Sequence, residues 1–474
     1  MNVLFVSGEA YPFFASGDLG EMAGALPVAL RQAGVDVRVI LPLYDHVNPG
    51  LREHLGYVAG FTVPVGWRSQ YCGLFEVDVR NVRFYFIDNE YYFRREKMYG
   101  FYDDNERFAY LSRAVPEALL HMDFAPDVIH CNDWQTALVP VYLNLYYRHH
   151  EKLSRVRTIF TIHDLQYQGQ YGPETLEETV GIARENFHIV EFDGIVNYTK
   201  GALETSDLIN TLSPTYAEEI TDPWYGHGLY DFLRGKRDKL RGILNGMDVK
   251  EYNPATDADI ISRYDASNFE RGRALCKKNL KDIFGLAKED APLIGMVTPF
   301  EFQKGLDLLL YMADQLTDDG FQFAVLGRGE GHYERFFEEV AARHAGRFAV
   351  KVETSPKLAR KVYAGSDMFL MPSRTEPCGL AQMLALRYGS VPVVRETGGL
   401  RDTIVNVDND TGNGFTFTSY NADEMRDACL RGRDAYGDPE AWRKLVRRCM
   451  ECDRGWTAPA KEYMNLYDDA MKLQ

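Results

Sequence analysis

The residues with the clearest chemical potential lie in a turn of the C-terminal half. Residues 371–382 (MPSRTEPCGLAQ) follow a short apolar run, contain Glu376 and lead into a segment with a helical pattern. Gly379 and Leu380 would place backbone N–H groups at the start of that helix, where an anion binds favourably. Glu376 would then lie beside a leaving diphosphate or a donor sugar.

A second turn of the same kind follows in residues 395–400 (RETGGL), with Gly398 and Gly399 after another apolar run. Either turn alone is equally consistent with an ordinary connection between a strand and a helix. Two anion-binding turns after consecutive strands favour a single pocket for a nucleotide sugar.

The elements that must position these turns alternate in type through both halves of the chain. Strands are predicted at residues 3–6, 37–41, 82–87, 128–130, 158–162 and 208–212, and then at 293–297, 321–326, 348–352, 368–371 and 391–394. Helical patterns, such as residues 21–33 and 305–315, lie between them. This alternation predicts two doubly wound, Rossmann-like α/β domains, in which ligands bind beyond the carboxyl ends of the strands.

The domain boundary is predicted near residues 243–248 (ILNGMD), a short strand ending in a turn, with a polar stretch to about residue 286 after it. The domains would be residues 1–245 and 246–455. Two such domains facing a cleft resemble the GT-B architecture of nucleotide-sugar transferases. Dehydrogenases and kinases share the alternation, so the fold alone does not decide the function.

Composition limits the classes of partner and compartment. The chain has 474 residues and a formal net charge of −16, which argues against a nucleic-acid or anionic-membrane partner.

Its seven scattered cysteines suggest reduced thiols in a cytoplasm, and the CxxC formed by Cys449 and Cys452 has no second pair. We expect the N-terminal apolar run to be a buried strand rather than a signal peptide, and no run of eighteen apolar residues is present.

These motifs and others resemble the glycogen/starch synthase family (glycosyltransferase family 5) nearly end to end. The matching segments are residues 99–108, 126–134, 161–169, 210–217, 242–248, 303–307, 372–380, 387–389, 397–403, Trp456 and Tyr463. The resemblance implies a retaining transfer of glucose from ADP-glucose, with UDP-glucose as the alternative donor, to the non-reducing end of an α-1,4-glucan such as glycogen. It also implies that a last helix, about residues 456–474, crosses back to the N-terminal domain.

The resemblance also implies a role for each site residue. The catalytic residues would be Glu376 at the donor sugar, Lys304 on the phosphates, His163 near the anomeric centre and Asp133 facing the acceptor. Donor-binding residues would be Gly17, Gly379, Leu380, Gly398 and Gly399, and acceptor-side residues would be Glu9, Asn105 and Trp134. Because no His, Cys and carboxylate cluster has the spacing of metal ligands, we expect a metal-independent site without a cofactor.

Three of these residues also have a purely structural interpretation. His163 has an alternative interpretation as a hydrogen-bonded core histidine, and Asp133 as a helix cap. Lys304 is also consistent with an exposed lysine at the start of a helix.

The sequence departs from the family pattern around the donor phosphates. Where the family has a lysine, a glycine, an arginine and a threonine, this chain has Ala15, Asp18, Pro299 and Ala381. Each lost charged hydrogen bond is worth about 1.5–3 kcal/mol, so two of them cost about 3–6 kcal/mol. That corresponds to roughly 10²–10⁴-fold in binding or rate.

Two main hypotheses follow. Family resemblance favours an active glucosyltransferase, whereas the donor-site changes favour an impaired paralogue that binds glucan or regulates other proteins. A transferase with another donor is a third possibility, since Asp18 and Pro299 alter the donor side. Arg328 and Arg374 are candidates for replacing the lost charge.

Overall fold

The computed structural model describes residues 1–47, 49–407 and 411–473. The chain divides into two compact units, Met1–Gly246 with Trp456–Gln474 and Met247–Gly455. The division thus falls one residue after the boundary predicted from the sequence.

Unit 1 is built on a nine-stranded sheet in the order β12-β11-β7-β6-β1-β2-β5-β4-β3, beside a three-stranded sheet in the order β8-β10-β9. Its strands are β1 (Asn2–Val6), β2 (Asp36–Pro42), β3 (Gly56–Val65), β4 (Arg68–Val79), β5 (Val82–Asp88), β6 (Val128–Asn132), β7 (Arg157–Ile162), β8 (Gln170–Tyr171), β9 (Glu191–Phe192), β10 (Ile195–Asn197), β11 (Leu208–Thr211) and β12 (Leu240–Gly242). Its helices up to the boundary are α1 (Asp18–Gln32), α2 (Pro49–Arg52), α3 (Glu90–Phe93), α4 (Asp104–His121), α5 (Leu138–Tyr142), α6 (Tyr198–Thr205), α7 (Pro214–Glu219) and α8 (Tyr230–Arg234).

Unit 2 contains a six-stranded parallel sheet in the order β15-β14-β13-β16-β17-β18. Its strands are β13 (Leu293–Val297), β14 (Gln322–Gly327), β15 (Phe348–Val352), β16 (Met368–Met371), β17 (Val391–Arg395) and β18 (Phe415–Phe417). Its helices are α9 (Phe269–Phe284), α10 (Leu306–Asp318), α11 (Gly331–Arg343), α12 (Pro356–Gly365), α13 (Ala381–Tyr388), α14 (Gly398–Thr403), α15 (Ala422–Tyr436) and α16 (Pro439–Glu451).

The last helix, α17 (Thr457–Lys472), belongs to unit 1. Tyr467 is buried, and its hydroxyl lies 3.0 Å from Nδ1 of His130 in β6. Tyr463 is also buried, and its hydroxyl accepts a hydrogen bond from Asn210 in β11. These buried contacts hold the end of the chain on the sheet of unit 1.

The predicted fold class, two Rossmann-like α/β domains, is confirmed. Parallel strands buried on both faces form continuous apolar runs, which is why β13 and β16 were found from the sequence. The antiparallel hairpin of β3 and β4 was missed because β3 (GYVAGFTVPV) contains two glycines and a proline, which are depleted in strands, and β4 (RSQYCGLFEVDV) mixes polar with apolar residues.

Two details near the boundary differ from the prediction. The short strand expected at residues 243–245 lies earlier, at Leu240–Gly242, where it pairs with β11. The polar stretch before residue 286 contains helix α9, which is buried along one face only.

Candidate active site

The centre of the site in unit 2 is an ion pair between Lys304 and Glu376. The ammonium nitrogen of Lys304 lies 2.9 Å from both carboxylate oxygens, and the hydroxyl of Ser373 donates to Oε2 at 2.9 Å. The Glu376 side chain is 6% exposed and that of Lys304 is 20% exposed. Lys304 is therefore not a solvated lysine at a helix start but the partner of a buried carboxylate.

Close backbone contacts bring these two residues together. Lys304 ends the 3₁₀ turn Phe302–Lys304, and Gly305 follows it with φ of +66°. A Cβ on Gly305 would lie 2.0 Å from the carbonyl oxygen of Pro372, so only glycine allows the turn to approach the end of β16.

The two glycine-rich turns predicted from the sequence meet in the structure. The N–H of Gly399 donates to the carbonyl of Glu376 at 3.0 Å. A Cβ on Gly398, at φ of +43°, would lie 2.0 Å from the same carbonyl. The start of α14 is therefore packed directly against the segment that carries Glu376.

Two backbone N–H groups at the start of α13 have no hydrogen-bond acceptor among the described residues. Within the described residues, the N–H groups of Gly379 and Leu380 donate to no other group, and Leu380 is the N-cap of the helix. Such N–H groups, at the positive end of a helix dipole, bind an anion. This is the arrangement that the sequence predicts next to Glu376.

Two of the departures from the family pattern, Pro299 and Ala381, lie at this edge of unit 2. Pro299 is exposed just after β13, and Ala381 is the first residue of α13. Arg374 does not extend away from the loop, because its guanidinium lies 4.1 Å from the ring centres of both Phe302 and Tyr420.

In unit 1, Asp133 and His163 follow the neighbouring strands β6 and β7. Oδ1 of Asp133 accepts a hydrogen bond from the N–H of His163 at 2.7 Å. Asp133 has φ of +57° and ψ of 175°, a region that is almost exclusive to glycine. Its side chain does not cap the 3₁₀ turn that follows, so a capping role does not explain this residue.

The carboxyl of Asp133 is held in an unfavourable environment for a charge. Burial raises its pKa well above its usual value, and the charges of Asp164 and Glu9 raise the pKa further. The N–H of His163 opposes that shift. Backbone strain and a perturbed carboxyl at one residue are typical of functional positions.

His163 is a neutral histidine with an unused acceptor. Burial lowers its pKa to about 3. Nε2 lies 3.1 Å from Oδ1 of Asn132, whose amide nitrogen already donates to the carbonyl of Val6, so Nε2 carries the proton. Nδ1 is buried and has no partner among the described residues, which makes it an acceptor for a hydroxyl group of a ligand.

Glu9 anchors the loop that precedes α1. Its Oε2 accepts hydrogen bonds from both the N–H and the hydroxyl of Ser16, each at 2.8 Å, and burial raises its pKa. Gly17 is the N-cap of α1 and is extended, with open space where a Cβ would lie. Ala15 and Asp18 flank it at the surface.

The predicted acceptor-side residues lie on α4 and after β6. Trp134 is half-buried next to Asp133, and its ring contacts that of Phe108 edge to face at 5.0 Å. Asn105 is half-buried, and its carbonyl accepts from the hydroxyl of Tyr198. Its neighbour Arg107 is fully buried and pairs with Asp104 of the same helix, which gives both a role in holding the fold.

Sequence reasoning did not identify three residues that support these sites. Asn132 orients the ring of His163, Ser373 donates to Glu376, and buried Gln135 has an Oε1 without a partner in the part of the chain described. Asn132 is the last residue of β6, and Gln135 and Ser373 lie in the turns after β6 and β16, so position at a strand end was the available signal.

Two Rossmann-like units, one of them with a lysine–glutamate pair beside anion-binding turns, define a nucleotide-sugar transferase of GT-B type. Comparison with known proteins narrows this class. Residues 2–235 match the family model described as starch synthase catalytic domain, and residues 278–443 match glycosyl transferases group 1.

Full-length relatives agree with this result. The chain is 46% identical to a glycogen synthase of Geobacillus thermodenitrificans, with 100% of this chain and 99% of the relative covered. It is 45% identical to one of Clostridium novyi, with 99% of each covered. A solved structure of the starch synthase IV catalytic domain from Arabidopsis thaliana, bound to ADP and acarbose, matches with a TM-score of 0.91 and 32% identity, covering 100% of this chain and 99% of that one.

The chain belongs to the glycogen/starch synthase family. Its enzymatic class is that of the nucleotide-sugar-dependent hexosyltransferases. Among the residues described, no helix is long and apolar enough to cross a membrane, and no group of three or more His, Cys, Asp or Glu side chains is placed to hold a metal ion.

Proposed function

We propose that this chain transfers glucose from ADP-glucose to the non-reducing end of an α-1,4-glucan with retention of the anomeric configuration. The observation that carries the proposal is the Lys304–Glu376 pair beside the N–H groups of Gly379 and Leu380. The ADP and acarbose in the similar starch synthase structure support the choice of a nucleoside diphosphate and a glucan.

Unit 2 supplies the groups that the departing diphosphate requires. Negative charge grows on that group as the glycosidic bond to glucose breaks, and preorganised donors stabilise it most effectively. The ammonium of Lys304 and the N–H groups of Gly379 and Leu380 are such donors.

Glu376 is suited to the glucosyl group. A carboxylate offers about four acceptor positions. Three are taken by the hydrogen bonds from Lys304 and Ser373, so one remains for a sugar hydroxyl.

Unit 1 supplies polar groups for the sugar. Because His163 is neutral, Nδ1 accepts a hydrogen bond from a hydroxyl without adding charge near a positively polarised anomeric carbon. Asp133 is fixed to the backbone of His163, and we assign it to the acceptor glucan together with Trp134, Asn105 and Glu9.

The charges lost at Ala15 and Pro299 favour a second candidate function, an impaired paralogue that binds glucan without appreciable transfer. Both residues are exposed and neither offers a cation. On this hypothesis the glucan-binding groups of unit 1 still act, but the donor binds weakly.

We further propose that the reaction uses no metal or cofactor and takes place in the cytoplasm. The donor set described above consists of an ammonium and backbone N–H groups, which need no cation to act. All seven cysteines are free thiols, as expected in a reducing compartment.

The experiment that tests the proposal is incorporation of labelled glucose into glycogen from ADP-glucose and UDP-glucose side by side, with and without EDTA. We expect incorporation from ADP-glucose, a lower rate from UDP-glucose, and no effect of EDTA. Retention on an amylose column without incorporation from either donor would instead establish the glucan-binding paralogue.

A further inference from the structure

The carboxyl end of β13 lacks a cation where a diphosphate would need one. Pro299 is exposed there, and proline offers neither a charge nor a backbone N–H. The ammonium of Lys304 is shared with the carboxylate of Glu376 at 2.9 Å, so its charge is largely balanced before any ligand binds. Tight binding of a diphosphate therefore requires another cation at this edge.

We propose that Arg328 supplies this cation and binds the donor diphosphate in place of an arginine at position 299. The inference rests on the proposed function, because it assigns a further residue to the nucleotide diphosphate of that reaction.

Strand register places Arg328 directly beside Pro299. Strands β13 and β14 pair Val297 with Leu326, and the parallel pairing resumes between Phe300 and Gly329. The intervening residues keep the same offset, so Pro299 and Arg328 lie opposite one another. Neighbouring strands are about 4.8 Å apart, a distance that the long arginine side chain spans easily.

The backbone around Arg328 is fixed by hydrogen bonds on both sides. Its carbonyl accepts from the N–H of Phe300 at 3.0 Å, and the N–H of Glu330 donates back to the carbonyl of Phe300 at 2.8 Å. The N–H of Gly329 donates to the Glu334 carboxylate at 3.0 Å. Arg328 therefore projects from a rigid turn at the strand end.

The side chain of Arg328 is available for a ligand. It is exposed, and among the residues described no carboxylate lies within the 4.0 Å ion-pair distance of its guanidinium. Glu330 and Glu334, on the same turn, accept hydrogen bonds from the N–H groups of Phe302 and Gly329 instead.

The other two arginines near this edge have structural contacts. Arg374 stacks between Phe302 and Tyr420. Arg395 is buried, and it donates to the carbonyls of Arg374 and Ser373. Of these three arginines, Arg328 is therefore the one best placed to bind a diphosphate.

The test is calorimetric titration of the full-length protein with ADP and with AMP. We expect Arg328→Ala to weaken ADP binding about 10- to 100-fold, the range for one charged hydrogen-bond donor. AMP binding should weaken less, because it lacks the second phosphate. The control is Arg271→Ala, at an exposed position of helix α9. It removes the same charge and should leave the affinities for ADP and AMP unchanged.

A double variant tests the replacement itself. Pro299→Arg should restore ADP binding in the Arg328→Ala protein, and it should add less than about 3-fold in the wild type, where the charge is already present. Equal losses for ADP and AMP would indicate a structural role and overturn the inference.

The outcomes separate this inference from the proposed function. If the wild type binds ADP and transfers glucose but Arg328→Ala behaves identically, only the assignment of Arg328 is wrong. If the wild type neither binds ADP nor transfers glucose from ADP-glucose, both proposals fail.

Discussion

The strained backbone at Asp133 leads to a prediction about stability as well as activity. With φ of +57° and ψ of 175°, Asp133 occupies a conformation that only glycine adopts easily. Replacing Asp133 by Ala removes the carboxylate but keeps the strain, whereas replacing it by Gly removes both. The comparison between these two variants therefore isolates the strain.

The magnitude follows from two opposing effects. Strain of this kind costs about 1–3 kcal/mol, which glycine releases. Glycine in turn costs about 0.4–1 kcal/mol relative to alanine, because it makes the unfolded chain more flexible. We expect Asp133→Gly to be more stable than Asp133→Ala by about 1–2 kcal/mol, the reverse of the usual order.

Thermal unfolding followed by circular dichroism measures this difference. For domains of this size, 1 kcal/mol corresponds to about 2–4 °C in Tm. The matched control is Asp36 in strand β2, which is not at positive φ, so Asp36→Gly should be less stable than Asp36→Ala. Glucosyl transfer should fall in both Asp133 variants, because both lack the carboxylate.

Two results would refute this reasoning. If Asp133→Ala is as stable as Asp133→Gly or more so, the backbone at this position is not strained. If either variant keeps wild-type transfer, the reaction does not need the Asp133 carboxylate.

Three further predictions concern other parts of the molecule. Glu376→Gln should slow transfer about 10²–10³-fold, measured as initial rates, because it removes the charge beside Lys304. The control, Glu440→Gln at an exposed position of helix α16, should leave the rate unchanged. Ala15→Lys with Asp18→Gly should tighten ADP binding about 10-fold or more, measured by calorimetry; an unchanged affinity would mean that this loop does not face the diphosphate. His130 has its pKa lowered to about 3 by burial, so the unfolded state takes up its proton first as pH falls below about 6.5. The wild type should therefore lose about 1.4 kcal/mol more stability than His130→Gln between pH 7.5 and pH 5.5 in urea unfolding, and equal losses would contradict the assignment.

The parts of the fold that were predictable are those buried on both sides. Strand β13 (LIGMV) and strand β16 (MFLM) are almost wholly apolar, so their positions follow from composition alone. The hairpin of β3 and β4 does not read as a pair of strands, because glycines and a proline interrupt β3 and polar residues interrupt β4.

The site was predictable where a motif fixes both residue type and spacing. Glu376, Gly379 and Leu380 lie on one continuous turn that ends at helix α13, so their proximity follows from the sequence alone. The pairing of Lys304 with Glu376 was not predictable, because 72 residues separate them and the contact depends on how closely the backbone approaches at Gly305.

The sequence also does not predict the backbone conformation of Asp133 or the unpaired Nδ1 of His163. Aspartate is enriched at positive φ, but mostly in the left-handed helical region, so the residue type does not predict the ψ of 175° at Asp133. The unused Nδ1 of His163 depends on Asn132 binding the other ring nitrogen, which is a feature of three-dimensional packing.

The most direct test of the central claim is elongation of a fluorescent maltooligosaccharide in the presence of ADP-glucose, followed as a ladder of products. We expect the wild type to add successive glucose units and Lys304→Ala to be at least about 10²-fold slower, because the diphosphate loses its ammonium partner. The control Lys278→Ala, at an exposed position of helix α9, should add glucose as fast as the wild type. A wild type that adds no glucose from ADP-glucose, or a Lys304→Ala variant as fast as the wild type, would contradict the account.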